Sequence, residues 1–231
     1  MKSLMRTFRR ILFFAVALLF VYQLWLLGWI LWWKSNPPVN TSFMSIRLDE
    51  LRQKNPQAKL QYQWVPYEKI SANLKRAVVA AEDDKFMEHD GFDWGNIERA
   101  IKKNQRKGKR LVGGSTISQQ LAKNLFLSPS RSYFRKAQEA VITVMIETLW
   151  SKRRILEVYL NVVEWGNGVF GAEAGARRQF GQSAASLGEY QAARLAVMLP
   201  SPRRFEKNLP AYASEHAESI QQRMRYSDVP R

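Results

Sequence analysis

The chain has 231 residues, 46% of them hydrophobic, and a formal net charge of +16. It contains no cysteine and only two histidines, His89 and His216, which excludes a disulfide framework and a His/Cys zinc site. The length suits one well-packed domain with an appendage, and the uneven spread of apolar residues excludes a disordered or uniformly soluble chain.

The first feature in chain order is Ile11 to Trp33, 23 uncharged residues in which Gln23 is the one strongly polar side chain. As a helix rising 1.5 Å per residue, such a run crosses a hydrocarbon core of about 30 Å. A cleaved signal peptide has a shorter apolar run that ends in small residues. Here the run ends in Trp29, Trp32 and Trp33, as an interfacial aromatic belt does. Lys2, Arg6, Arg9 and Arg10 precede it. The positive-inside rule then predicts residues 1–10 in the cytoplasm, 11–33 across the inner membrane, and the remainder on the periplasmic or external side. That remainder carries +12, because four of the 36 basic and none of the 20 acidic residues precede Lys34. A basic domain tethered to a bilayer is suited to anionic headgroups or a phosphate-bearing lipid. Nucleic acid is disfavoured as a partner by this topology and by the lack of a recognised binding motif.

Residues 34–61 contain Pro37, Pro38 and Pro56 without a sustained apolar period and read as an irregular lead-in, which places the exported domain at 62–231. Ile70, Leu74, Ala77, Val78 and Ala81 recur at helical spacing and predict a helix that ends at Glu82. A carboxylate there faces the negative pole of the helix and partial burial, both of which raise its pKa. A second helix is predicted from Trp94 to about Gln105. It runs into Arg99, Lys102, Lys103, Arg106, Lys107, Lys109 and Arg110. These cations read equally as a solvated surface or as a patch facing phosphate or membrane.

In Gly113-Gly114-Ser115-Thr116 the glycines allow a tight turn, and Ser115 is a candidate cap for the helix that follows. On that helix Thr116, Gln119, Gln120 and Lys123 share a polar stripe, while Ile117, Leu121 and Leu125 lie elsewhere. An uncovered helix N-terminus followed by a lysine suits an anion. An ordinary amphipathic helix explains the same pattern, and the P-loop order of glycine, lysine and hydroxyl is missing. Another helix is predicted from Tyr133 to about Ser151, with Arg135 and Glu139 four residues apart on one face. Its later turns are apolar almost all round and read as the central core helix. By themselves Arg135 and Glu139 are equally a structural ion pair. Helix continues over Arg154 to Asn161, and Ser186-Leu187-Gly188-Glu189 has the form of a capping box before a helix that stops ahead of Pro200. Alternation of period two is scarce, so the exported domain is read as mainly α.

Ser-x-x-Lys and His-Glu-x-x-His do not occur, which argues against acyl-serine and zinc-protease chemistry. Acidic residues set among lysines, arginines and glutamines beside a membrane suit sugar or phosphate chemistry. Glu82-Asp83-x-x-Phe86-x-x-His89-x-Gly91 resembles the first signature of the peptidoglycan glycosyltransferases of family 51, and Gly113 to Asn124 the second. Arg135-Lys136-x-x-Glu139 resembles the third, Lys152-x-x-Ile155-Leu156-Glu157-x-Tyr159-Leu160-Asn161 the fourth, and Gly168, Gly171, Phe180 and Gly181 the fifth. Gln179 stands where the family often has an aromatic residue. The similarity is greatest to monofunctional members with one N-terminal transmembrane helix, since a penicillin-binding domain has no room before Arg231.

The resemblance implies a lysozyme-like, mainly α fold with a small membrane-proximal jaw around the Gly113 loop and Leu125-Phe126-Leu127. It implies an enzyme that polymerises lipid II by inverting β-1,4 transfer, with release of undecaprenyl diphosphate. Glu82 is then the base and Glu139 the second functional carboxylate. Lys123 and Arg135 would stabilise the diphosphate, with Thr116, Gln120 and Asn124 as further donors and Arg99 a weaker addition. Asp83 and His89 would organise the first motif. The sequence leaves the metal requirement open, with Glu139 as the candidate ligand should Mg2+ or Mn2+ assist. The partners implied are lipid II, the growing glycan strand, the membrane, and proteins of cell-wall synthesis or division. Two other readings compete: a lytic enzyme that cleaves finished strands, and a non-catalytic basic module that binds anionic lipid.

Overall fold

The computed structural model describes residues 2–107, 113–130, 132–207 and 210–231. Helix α1, Lys2–Trp33, takes in the basic N-terminal segment as well as the uncharged run. Most of its apolar side chains are exposed, Phe13 at 69% and Leu18 at 72%, while Leu26, Ile30 and Trp33 are buried. Among the described residues it is the one helix long and apolar enough to cross a membrane. A helix that is apolar on its exposed faces and satisfies its own backbone is stable in hydrocarbon. Trp25, Trp29 and Trp33 follow one another along α1 with ring centroids 6.5 and 5.1 Å apart.

Residues from Pro37 onward form a separate compact unit. It opens with α2, Ser42–Arg52, within the stretch expected to be irregular. Thr41 caps α2 by accepting the Met44 N–H, and the Arg47 guanidinium reaches Glu164 Oε1 and Oε2 at 2.7 and 2.9 Å. Only Met44 and Arg47 of this helix are buried, so it lacks the apolar period that would announce it. Strand β1, Gln61–Tyr62, follows.

The body consists of α3 (Ala72–Glu82), α4 (Trp94–Lys107), α5 (Ile117–Phe126), α6 (Tyr133–Leu149) and α7 (Lys152–Val162). After a hairpin of β2 (Glu164–Gly166) and β3 (Val169–Phe170) come α8 (Ala172–Phe180), α9 (Glu189–Met198), α10 (Pro202–Lys207) and α11 (Ala211–Arg223). The domain is mainly α, as its periodicity predicts. Strand β3 lies between β1, parallel to it, and β2, antiparallel to it, with Tyr62 opposite Phe170. Strands this short cannot display a period-two pattern. Lys109 and Arg110 of the predicted basic run lie outside the described residues.

Ser71, Thr116, Ser132 and Ser151 each cap a helix by accepting the N–H three residues on. Three sequence expectations are corrected here. Thr116 rather than Ser115 caps α5, because its backbone is extended and its Oγ1 meets Gln119 N, with the Gln119 side chain returning to Thr116 N. Ser151 separates α7 from α6, so the two are not continuous. Ser186 closes a 3-10 turn, and α9 starts from Gly188, whose N–H is taken by Gln191 Oε1.

Helix α5 packs on α6 and α7, and α3 on α9, which also meets α11. Ile117, Leu121, Ile155, Leu156 and Tyr159 are fully buried at the centre. Helix α6 is not the central helix its composition suggested. Ile142 and Ile146 face inward, but Val141 and Val144 are exposed, as are Tyr133 at 97% and Phe134 at 77%. A hydropathy pattern records apolar character, and does not tell which apolar face meets protein.

Between α3 and α4 the chain turns at Gly91, whose φ is +91°. A Cβ there would lie 2.7 Å from Thr143 Cγ2, on α6. Left-handed backbone and overlap combine, so Gly91→Ala should cost about 1–3 kcal/mol. The check is denaturant unfolding, in which the midpoint falls with an unchanged slope.

Candidate active site

Glu82 is the last residue of α3, at the point where the helix gives way to the first motif. It is half-buried, and its Oε2 accepts the Gln120 amide N–H at 2.6 Å. Gln120 is itself oriented from the other side, where its Oε1 accepts the Tyr159 hydroxyl at 3.0 Å. Tyr159 is fully buried in the core helix α7. Burial pushes the Glu82 carboxyl above the usual carboxylate range, and neighbouring Asp83 adds to this. The Gln120 hydrogen bond and the Lys123 charge oppose the rise without cancelling it. Burial, with help from Glu82 and Asp83, also holds the Tyr159 hydroxyl well above an ordinary phenol, so it serves as a donor.

Asp83 hydrogen-bonds within the protein, to α5 and to His89 of the first motif. Its Oδ2 accepts Ile117 N at 2.9 Å, at the start of α5, so the anion expected at that helix N-terminus is supplied by the protein itself. Asp83 Oδ1 lies 2.9 Å from His89 Nε2. Gly91 N donates to His89 Nδ1 at 3.1 Å, which assigns the ring proton to Nε2 and directs it at Asp83. Thr116 is 1% exposed and its hydroxyl donates to Gly91 O at 2.7 Å. Asp83, His89, Gly91 and Thr116 therefore lock the Glu82 turn onto α5. Thr116 has no hydroxyl proton left for a substrate.

On α5 the predicted polar stripe divides. Thr116 and Gln119 close the helix start, whereas Gln120, Lys123 and Asn124 line a cleft of about 650 Å³. Burial lowers the Lys123 pKa, Glu139 and Glu82 raise it, and Arg135 and Lys136 lower it further, so all four charges are within electrostatic reach. Glu139 is 3% exposed. Its Oε2 accepts from Arg135 at 2.5 Å and its Oε1 pairs with Lys136, which also reaches Ser115 Oγ at 3.3 Å. Arg135 and Glu139 are thus brought together; neither is among the residues that line the cleft, and both influence the charge of Lys123, which is. Arg99 is exposed on α4 and is not among the residues that line the cleft.

Sequence reasoning did not single out Lys136 or Tyr159 as site residues, although both stand inside the third and fourth motifs. Lys136 is the second cation on Glu139, and Tyr159 aims Gln120. Both Glu139 oxygens are engaged, and among the described residues no three His, Asp or Glu side chains group to hold a metal ion. The donor set does not fit a protein-held divalent cation.

Tyr159→Phe would leave Gln120 Oε1 without its buried donor, an orphaned acceptor worth about 1–3 kcal/mol. The expected result is a loss of activity of roughly tenfold. A pH profile that shifts with the substitution would tie the loss to Glu82 orientation.

Fold and site together define a class: a mainly α enzyme, with a helix able to cross a membrane, in which a carboxylate of raised pKa hydrogen-bonds to Gln120, a residue that lines a cleft with Lys123. Residues 49–225 match the family described as Transglycosylase, and the chain belongs to that family, as a peptidoglycan glycosyltransferase. It is 64% identical over 230 residues to the biosynthetic peptidoglycan transglycosylase of Azoarcus sp. (strain BH72), with all of both chains covered. The protein of that name from Aromatoleum aromaticum is 62% identical over 230 residues, again across all of both chains. That from Dechloromonas aromatica is 59% identical over 231 residues, with the same coverage.

Proposed function

We propose that the enzyme extends glycan strands from lipid II, with Glu82 as the base and the Lys123 cluster as the electrophilic end of the site. The observation that carries this reading is the hydrogen-bonded Glu82–Gln120–Tyr159 chain beside Lys123. The acceptor sugar hydroxyl is a weak nucleophile near neutral pH and needs a positioned base. Its proton passes to the Glu82 carboxylate as its oxygen bonds to the anomeric carbon of the donor. The bond from that carbon to the diphosphate oxygen breaks on the opposite face, and the electron pair leaves with undecaprenyl diphosphate. The configuration inverts from α to β, giving a β-1,4 link.

A diphosphate needs no proton to leave; it needs its growing charge matched. Lys123 is suited to this, with Arg135 and Lys136 held by Glu139, and Asn124 offers an amide in the cleft. In this reading Glu139 is a positioning residue. Leu125 and Leu127, expected at the jaw, are buried, and it is exposed Trp94, Ile101, Tyr133, Phe134, Val141 and Val144 on α4 and α6 that support a membrane-proximal jaw to receive the lipid. Helix α1, with the cations of its first turns, supports a single-pass anchor in the inner membrane with the catalytic domain outside the cytoplasm.

The test is incubation of detergent-solubilised protein with labelled lipid II and separation of products by length. Long strands support the reading. Unchanged lipid II together with shortening of preformed strands would replace it with a lytic activity.

A further inference from the structure

The cleft that holds Lys123 carries a second group of cations on a different wall. Lys54 stands just after α2, and Arg203, Arg204 and Lys207 project from α10; all four line the cleft and are exposed. One lining residue is acidic, Glu164, and it is already neutralised by the two hydrogen bonds from Arg47. Arg203 has a long contact to Glu50 at 3.4 Å. Lys54, Arg204 and Lys207 have no ion pair among the described residues. Positive charges gathered on one wall repel each other unless an anion joins them.

The wall is rigidly mounted. Phe205 is buried, and Glu206 accepts from Asn167 N at 2.8 Å and from Arg178 Nε at 2.9 Å, so α10 is pinned to the β2–β3 turn and to α8. Lys207 stands three residues after Arg204 and four after Arg203, so it can share a face with either. The diphosphate of the reaction is served by Lys123 and the Glu139 cations on α5 and α6. The sugars of a glycan strand carry no charge of their own. What repeats along a peptidoglycan strand and is anionic is the carboxylates of its stem peptides. A lipid surface suits this wall less, since neither α2 nor α10 exposes a large apolar residue, in contrast to α4 and α6.

We infer that Lys54, Arg203, Arg204 and Lys207 form a subsite for stem-peptide carboxylates, which holds the glycan strand along the cleft. This rests on the glycan-strand reading proposed above. It makes the enzyme selective for strands with free rather than amidated stem carboxylates.

The experiment is equilibrium binding of the full chain, in neutral detergent, to a fluorescent glycan strand with free-acid stem peptides and to the same strand amidated. The free-acid strand should bind about fifteenfold more tightly, four exposed pairs contributing a factor of roughly two each. The preference should shrink as salt is raised. R203Q/R204Q/K207Q should retain only about a twofold preference, the part carried by Lys54, and Lys54→Gln, on a separate segment, should narrow the wild-type preference about twofold. Equal binding of the two strands by the wild type overturns the inference, as does a triple variant that weakens both equally. A triple variant that keeps the strand preference and loses binding to phosphatidylglycerol vesicles also overturns it, in favour of a headgroup surface. Strand binding needs no turnover, so a failure of lipid II polymerisation would count against the proposed reaction and leave this measurement readable.

Discussion

Glu82→Gln should abolish most glycan polymerisation, by about 10²–10⁴-fold, while the folded protein becomes more stable. The two effects have one cause. Burial raises the Glu82 pKa, which means that the fold disfavours the ionised carboxylate that the chemistry needs. Glutamine keeps the shape and can still accept the Gln120 N–H, but it carries no charge to bury and takes no proton. Removal of a functionally strained group commonly contributes about 0.5–2 kcal/mol, or a few degrees in Tm for a chain of this size.

The sign of the pH dependence follows. A raised folded pKa costs nothing below the ordinary carboxylate range, where Glu82 is protonated in both states, and costs most above the folded pKa. The stability advantage of Glu82→Gln should therefore grow as pH rises through that window and vanish in acid. Wild-type kcat/KM should rise along an acid limb displaced above the usual glutamate range. Thermal unfolding and initial rates across pH check both; a variant as active as wild type would remove Glu82 from the role of base.

Lys123→Gln should reduce kcat by about 10²–10³-fold, the loss typical of one preorganised charge opposite a developing anion. Lys123 has no ion pair among the described residues, so its removal orphans no partner carboxylate and the fold should persist. Burial is the largest influence on its pKa and lowers it, with Glu139 and Glu82 pulling the other way. The cation is needed in its protonated form, so the basic limb of the rate profile should fall below the ordinary lysine range. Both limbs thus move inward. Lys123→Arg should recover part of the rate, because charge is kept while geometry changes. If Lys123→Gln raised KM and left kcat unchanged, the lysine would bind ground state and transition state equally, and the stabilising role would pass to Arg135 and Lys136.

Much of this molecule is legible from spacing alone. The run from Ile11 to Trp33 announces α1, because hydrocarbon imposes one length and one composition. Helices α3, α5 and α7 are visible in their apolar periods, since each buries a continuous face. Glu82 at a helix end, and Arg135 one turn before Glu139, follow from 3.6 residues per turn. What spacing could not decide is which partner each polar group takes. Asp83 is 34 residues from the N–H it serves on α5, and Arg47 is 117 from Glu164. Thr116 and Gln119 share a stripe with Gln120 and Lys123, yet the first two face inward to the Gly91 turn and the helix cap, and the others line the cleft. Helix α2 is held by a distant ion pair rather than an apolar face, and α6 turns half of its apolar surface outward. The sequence by itself determined the long apolar helix, the mainly α class and the helical placement of the candidate site residues, because these depend on contacts within a turn or two of chain. The tertiary structure alone decided which polar groups are spent on the fold and which remain for a substrate, because hydrogen-bond capacity is finite and is allotted only when distant segments meet.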